Sequence, residues 1–180
     1  MEDKVAEIRF AGYGGQGIIR SGIIVGKGAS IYDNKFSTMN QAFGPEARGG
    51  ACSSQVVLSD TKVLYPYVTV SDVLVAMSQE GYDMFEPELS DKGLLLIDED
   101  LVQTKPTRGK IKSFSIPSTR LAEELGNRIF ANVVMLGFFT AATKLVSKEG
   151  MEKAVADSVP ERFIKHNLRA FQKGYDYYKD

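Results

Sequence analysis

One cysteine, Cys52, and one histidine, His166, in 180 residues remove several chemistries at once. A lone thiol closes no internal disulfide and cannot hold an iron–sulfur cubane, which takes four thiolates. Such scarcity suits a reducing cytoplasm, the expected location. A single histidine placed so late leaves no Ser-His-Asp or Cys-His arrangement to propose. A dominant charge is missing as well: 22 Lys and Arg stand against 23 Asp and Glu, a net charge of −1. Nothing global therefore attracts nucleic acid or an anionic membrane. Long apolar runs are also lacking. The richest, residues 133–142, is too short to span a bilayer and reads as a buried helix. Met1-Glu2-Asp3-Lys4 is charged and no long apolar run follows, so no signal peptide is expected. Internal repeats, low-complexity tracts and linkers are absent too. What remains, 43% hydrophobic and 25% charged residues, is enough for one compact domain spanning 1–180.

The chain is organised around Ile8-Arg9-Phe10-Ala11-Gly12-Tyr13-Gly14-Gly15-Gln16-Gly17-Ile18-Ile19, which reads as strand, tight turn and helix. Gly12, Gly14 and Gly17 satisfy the spacing G-x-G-x-x-G, with Gly15 as an extra glycine. Glycine permits the sharp exit from the strand, close approach of a ligand to backbone, and tight packing of helix on sheet. The helix that follows points free N–H groups and the positive end of its dipole at whatever lies above Gly14 to Gly17, a seat for a phosphate or another anion. Packing alone is the competing reading of such a turn.

In chain order, strand and helix signals alternate. Residues 8–11 form a strand and 18–31 a helix; 36–39 is a short second strand before a Gly-Pro and Gly-Gly loop over 42–50. Residues 53–59 read as a strand that turns at Asp60-Thr61 into a hairpin partner, 62–65, ended by Pro66. The continuous apolar runs 73–77 and 93–98 are strands of a sheet covered on both faces, separated by a short helix over 79–89. A strand over 111–116 precedes a helix capped by Ser118 or Thr119 and running to Leu125, then helices over 132–146 and 161–178. The fold class is α/β: three layers around a mixed, mostly parallel sheet with a Rossmann-like first turn.

A dinucleotide-binding turn also wants an acid at the end of the second strand. Asp33 has about the right spacing but precedes that strand, whose end carries Thr38, Met39, Asn40 and Gln41. This weakens a dehydrogenase reading. Cys52 reads as a buried structural thiol and His166 as a surface or packing residue. Asp98, Glu99 and Asp100 read as a solvated cluster, because neighbouring residues on extended chain point to opposite faces.

Gly12-x-Gly14-Gly15-Gln16-Gly17, then Gly44-Pro45-Glu46-x-Arg48-Gly49-Gly50, Ser59-Asp60, Pro66, Asp72-Val73-Leu74 and Asn132-x-x-x-Leu136-Gly137 together resemble the gamma subunit of the 2-oxoacid:ferredoxin oxidoreductases. The resemblance covers residues 8–137 and leans toward the 2-oxoglutarate (ketoglutarate) branch over the pyruvate, branched-chain and indolepyruvate ones. It implies CoA-dependent oxidative decarboxylation of a 2-oxoacid to acyl-CoA and carbon dioxide, with reduction of ferredoxin. It also implies that thiamine diphosphate, magnesium and 4Fe-4S clusters sit in alpha, beta and delta (ferredoxin-like) partner subunits, leaving the isolated chain inactive and prone to dimerise with itself. With a purely structural gamma chain that positions its partners and touches no ligand as the competing reading, coenzyme A is the ligand the resemblance implies for this chain. Its candidate contacts are backbone at Gly12, Gly14, Gly15 and Gly17, the amide of Gln16, and Arg48 in a bidentate phosphate contact beside Gly49 and Gly50. Arg48 paired with a carboxylate is the competing reading. A stand-alone coenzyme- or nucleotide-binding protein is the alternative function.

Overall fold

The apolar runs assemble into six strands in a computed structural model that describes residues 5–43, 50–63, 65–106 and 108–179. They are β1 (Val5–Tyr13), β2 (Phe36–Phe43), β3 (Ala51–Ser59), β4 (Ser71–Ala76), β5 (Leu89–Asp98) and β6 (Lys112–Ile116), in the spatial order β2-β3-β1-β4-β5-β6. Strands β1, β4, β5 and β6 run parallel, and β3 is antiparallel to both β1 and β2. The expected mixed, mostly parallel sheet forms, with a different antiparallel pairing. Residues 62, 63 and 65 of the expected hairpin partner are not in a strand. Both edges of β3 are already occupied, from Val5↔Ser59 to Tyr13↔Ala51 on one side and from Phe36↔Ser59 to Phe43↔Cys52 on the other. The chain after Asp60 instead crosses the sheet face, where the Val68 N–H donates to Gln55 Oε1 at 3.0 Å and the Val68 carbonyl accepts from Arg9 at 2.7 Å.

Alternation along β1 separates the two faces. Ile8 and Phe10 enter the larger core with residues of α1 (Ile18–Lys27), α3 (Ser118–Glu124), α4 (Ala131–Thr143), α5 (Lys148–Ala156) and α6 (Glu161–Tyr177). Ala11 faces a smaller core with Leu74, Ala76, Leu95 and Tyr82 of α2 (Gln79–Phe85). Arg9 is buried on this second face, paired with Glu88 at 2.9 Å and set 4.3 Å over the Phe85 ring.

Several boundaries move for local reasons. The first helix ends at Lys27 and relaxes into a π-helical segment, Gly28–Tyr32. The helix expected over 79–89 stops at Phe85, tightens into a 3-10 turn at Glu86–Glu88 that holds Pro87, and Leu89 opens β5. Helix α5 has no counterpart in the sequence reading. Its Ser147 caps it by accepting from the Gly150 N–H.

The acidic group at the end of β5 is not uniformly solvated. Asp98 is fully buried and accepts from Ser118 Oγ (2.5 Å), Thr119 N (2.9 Å), Thr119 Oγ1 (2.7 Å) and Asp100 N (3.1 Å). The helix start thus receives its acceptor from β5 rather than from Ser118 or Thr119. Glu99 and Asp100 pair outside with Arg120 at 3.0 and 3.6 Å. Removing the carboxylate strands two buried or half-buried hydroxyls and a helix-start N–H. Asp98→Ala is therefore expected to lower unfolding free energy by about 3 kcal/mol in urea titrations, with Asp98→Asn recovering part of it.

Helix α4 carries no charged residue and lies between the sheet and α6, with Phe139 packing on Phe10 at a centroid distance of 5.5 Å. Against α6 it touches at backbone. A Cβ added to Gly137 would lie 1.9 Å from the Phe171 carbonyl oxygen, and one added to Gly174 would lie 1.8 Å from that of Val134. Among the described residues no helix is long and apolar enough to cross a membrane.

Candidate functional site

Parallel neighbours β1 and β4 send their following helices to opposite faces, α1 to one and α2 to the other. At such a switch point a crevice opens outside the carboxyl ends of the strands, the usual place for a ligand in an open α/β sheet. The glycine turn leaves β1 there. Its anchor is Gln16, whose Oε1 accepts from the Tyr13 N–H at 2.6 Å while Nε2 donates to the Met77 carbonyl at 2.7 Å. The residue expected to reach a phosphate with its amide thus stitches the turn to the end of β4, and acts as a positioning residue.

The other expected residues separate by depth. Gly12 is buried below the turn, where a Cβ would lie 2.5 Å from Gln16 Oε1. Gly14, Gly15 and Gly17 line an open cleft. Gly50 joins them through its carbonyl, which accepts from the Gly14 N–H at 2.9 Å. Arg48 and Gly49 lie outside the described residues. Gly17 is the N-cap of α1 in the left-handed region, φ 76°, and a Cβ there would meet Asn132 Nδ2 at 2.5 Å.

That cleft encloses about 670 Å³, within the roughly 300–1,000 Å³ typical of small-molecule sites. One end is the glycine turn and first turn of α1, with Arg20; the far wall is apolar, from Ile129, Phe130, Val133, Val159, Pro160 and Phe163. Among the described residues no carboxylate lines it. Helix α1 has no side-chain cap and no acid in its first turn, and α6 likewise begins beside the cleft without a side-chain cap. The uncapped start of α1 and Arg20 make the glycine-turn end electropositive, suited to an anion, whereas α6 starts at the apolar wall with Glu161 in its first turn. A second cavity of about 600 Å³ beside α2 is lined by Asp83, Glu99 and Asp100, charges that repel an anion.

Cys52 is buried at the cleft wall, and burial pushes its thiol pKa up, so it stays protonated and un-nucleophilic at neutral pH. His166 is exposed and stacks on Phe130 with centroids 6.3 Å apart, the packing role expected of it. Asp33, the acid with nearly dinucleotide spacing, accepts from Ser147 N and Oγ at the start of α5 instead. Residues the sequence reading did not assign to the site are Arg20, Phe130, Asn132 and Phe163. Asn132 stood in a quoted motif, but only the fold brings α4 against Gly17.

The family model described as pyruvate ferredoxin/flavodoxin oxidoreductase matches residues 7–177. The chain is 49% identical over 176 residues to the 2-oxoglutarate synthase subunit KorC of Methanocaldococcus jannaschii, covering 97% of this chain and 94% of that protein. Among solved structures it is similar to the gamma subunit of a keto/oxoacid ferredoxin oxidoreductase from Geobacter sulfurreducens (TM-score 0.84, 43% identity, 95% of this chain and 96% of the other). It is also similar to the 2-oxoglutarate:ferredoxin oxidoreductase from Magnetococcus marinus with 2-oxoglutarate, coenzyme A and succinyl-CoA bound (TM-score 0.86, 25% identity). That match covers 96% of this chain and 31% of the longer one.

Proposed function

The chain belongs to the pyruvate ferredoxin/flavodoxin oxidoreductase family, and from that premise we propose that it is the gamma-type subunit of a 2-oxoglutarate:ferredoxin oxidoreductase whose cleft seats coenzyme A. The 2-oxoglutarate assignment follows the KorC relative and the Magnetococcus enzyme. The coenzyme assignment rests on one observation above the others: the cleft has an electropositive end built from the glycine turn, with no carboxylate among the described residues that line it, continuous with an apolar wall. Coenzyme A has matching parts, phosphates at one end and a weakly polar arm leading to the thiol. The backbone N–H groups of the α1 start and the Arg20 guanidinium hold the phosphates, and the Gly50 carbonyl braces the turn by accepting from the Gly14 N–H. Residues 1–180 act as one domain of this kind.

This chain's work is to bind and orient. Enzymes of the family use thiamine diphosphate, coenzyme A and iron–sulfur clusters; one cysteine supplies none of the four thiolates of a cubane beyond the first. Decarboxylation and electron transfer therefore fall to alpha, beta and delta partners, with ferredoxin as acceptor. The stand-alone binding protein is the weaker reading, since the KorC and Geobacter relatives are themselves subunits.

The test is co-expression with the genes beside it, purification on a tag carried by this chain, and an assay of coenzyme A-dependent viologen reduction across a panel of 2-oxoacids. Iron- and thiamine-containing partners are expected to copurify, and 2-oxoglutarate to drive the fastest reduction. A chain that emerges alone with a bound nucleotide and no partner would point back to the stand-alone protein.

A further inference from the structure

Of the six α-helices among the described residues, five pack on one face of the sheet, and α2 alone packs on the other, with the chain that crosses from β3 to β4. Parallel strands normally need cover on both faces. On this thinly covered side five large apolar side chains stand about half exposed or more: Val5 (49%), Phe36 (50%), Tyr65 (64%), Tyr67 (52%) and Val70 (52%). Val5 alternates onto the face with Arg9, and Phe36 shares it because both Val5 and Phe36 pair with Ser59. Tyr65, Tyr67 and Val70 belong to the crossing chain, with the two tyrosine rings 5.5 Å apart. Together they present on the order of 400 Å² of apolar surface, a patch of the size that marks an interaction site on a single chain.

The charged neighbours of the patch are mostly acidic. Asp72 Oδ2 accepts from the Glu7 N–H at 2.9 Å, which sets these two carboxylates side by side on β1 and β4. Glu88 lies 2.9 Å from Arg9 with its own side chain 46% exposed. Burial first, and the Asp72 charge second, push the Glu7 pKa up against the opposing pull of Arg9. Arg9 itself is buried and already shared between Glu88, the Val68 carbonyl and the Phe85 ring. Three carboxylates against one guanidinium leave two negative charges, while Asp60 and Lys62 at the start of the crossing chain cancel.

We propose that this face is the docking surface for a partner subunit that brings lysine or arginine side chains to Glu7, Asp72 and Glu88, and apolar side chains to the two tyrosines. The inference rests on the chain being a subunit of a larger enzyme and is independent of what the cleft binds. Tyrosine supplies large, rigid contact area, so Tyr65 and Tyr67 form the centre of the surface and the carboxylates its rim. A second copy of this chain is a poor occupant, because a two-fold axis would set the same carboxylates against each other. The cleft is walled by α1, α4 and α6 residues of the opposite face, so a partner docked here leaves it open.

The test compares the isolated full chain with the co-expressed complex purified on its tag. Hydroxyl-radical footprinting is expected to label Tyr65 and Tyr67 about five-fold more slowly in the complex, the loss of access that an interface core implies. Zero-length carbodiimide coupling is expected to join Asp72 or Glu88 to a lysine of a partner subunit. The double variant Tyr65→Ser, Tyr67→Ser removes only exposed rings, and should weaken capture of that partner about ten-fold or more. Asp72→Asn keeps an acceptor for the Glu7 N–H and should make assembly less sensitive to salt. Tyrosines labelled equally in both states, or carbodiimide links that join this face to a second copy, would overturn the surface while leaving the subunit reading intact. The footprint needs no variant, so a double variant that fails to fold leaves the decision with the natural chain. A chain that copurifies with no partner strikes the subunit reading, and the surface with it.

Discussion

Gly137→Ala is expected to remove cooperative folding at ordinary temperature, or to lower unfolding free energy by about 4 kcal/mol or more in urea titrations followed by circular dichroism. The new methyl would lie 1.9 Å from the Phe171 carbonyl and 2.7 Å from the Tyr175 nitrogen, both backbone atoms that no rotamer change can move. The helices must separate, and the α4–α6 seam that buries Val134, Phe138 and Phe171 opens with them. Overpacking in a core costs about 1–3 kcal/mol when side chains can yield; here the obstacle is main chain, so the cost exceeds that range. Against a total stability of about 5–15 kcal/mol this is decisive. Gly174→Ala, with its contact of 1.8 Å to Val134 O, should behave alike. The comparison that isolates the cause is Gly26→Ala in α1, where the nearest atom is Ser37 Oγ at 3.5 Å. There the methyl fits, and the helix should gain up to about 1 kcal/mol from the better helix former. Equal losses at positions 26 and 137 would show that the backbone contact is not the reason.

Gly17→Ala should strike function harder than stability. A left-handed φ of 76° costs an L-residue about 1–2 kcal/mol, and the added methyl drives into the Asn132 carboxamide at 2.5 Å. The first turn of α1 then tilts away from the cleft and its N–H groups lose their common aim. In the assembled enzyme, kcat/KM for coenzyme A is expected to fall about 100-fold, close to 3 kcal/mol, while KM for the 2-oxoacid stays within about two-fold. Gly15→Ala is the matched control. It shares a positive φ, 97°, and an added methyl meets nothing within 4 Å in the unliganded chain, so its loss of stability measures the backbone cost alone, while its methyl faces the cleft. A Gly17→Ala enzyme with an unchanged KM for coenzyme A would remove the glycine turn from the binding site.

What the sequence made legible follows from range. The parallel strands 73–77 and 93–98, the apolar α4 and the turn after β1 each announce themselves within a dozen residues, through apolar runs or glycine spacing. The pairing of β3 does not. A turn at Asp60-Thr61 suggested a local hairpin, yet β3 gains more by filling the gap between β1 and β2, a choice set by which apolar faces meet across the sheet. Asp98 looked like one of three exposed acids because its burial depends on α3 folding back onto β5. At the site the same divide holds. Gly14, Gly15 and Gly17 line the cleft and Gly12 lies buried beneath it, whereas the role of Gln16 as a brace needs the end of β4, and Asn132 needs α4 to arrive from the far part of the chain. Local spacing located the turn; only tertiary contacts reveal what surrounds it.

The order in which these pieces leave the ribosome has its own consequence. By Ile116 all six strands have been made, but the face of the sheet carrying Ile8, Phe10, Val56 and Val75 is still largely bare. Phe139 reaches Phe10 only from α4, and α4 is sealed only when Phe171 and Gly174 of α6 close over it. At about 5–20 residues per second of synthesis, the interval lasts several seconds. For that time the nascent chain displays a finished sheet with only α1 over this face, so its yield is expected to depend on chaperone protection and on translation speed through its last third. Premature stops before α6 should give insoluble fragments rather than smaller folded ones.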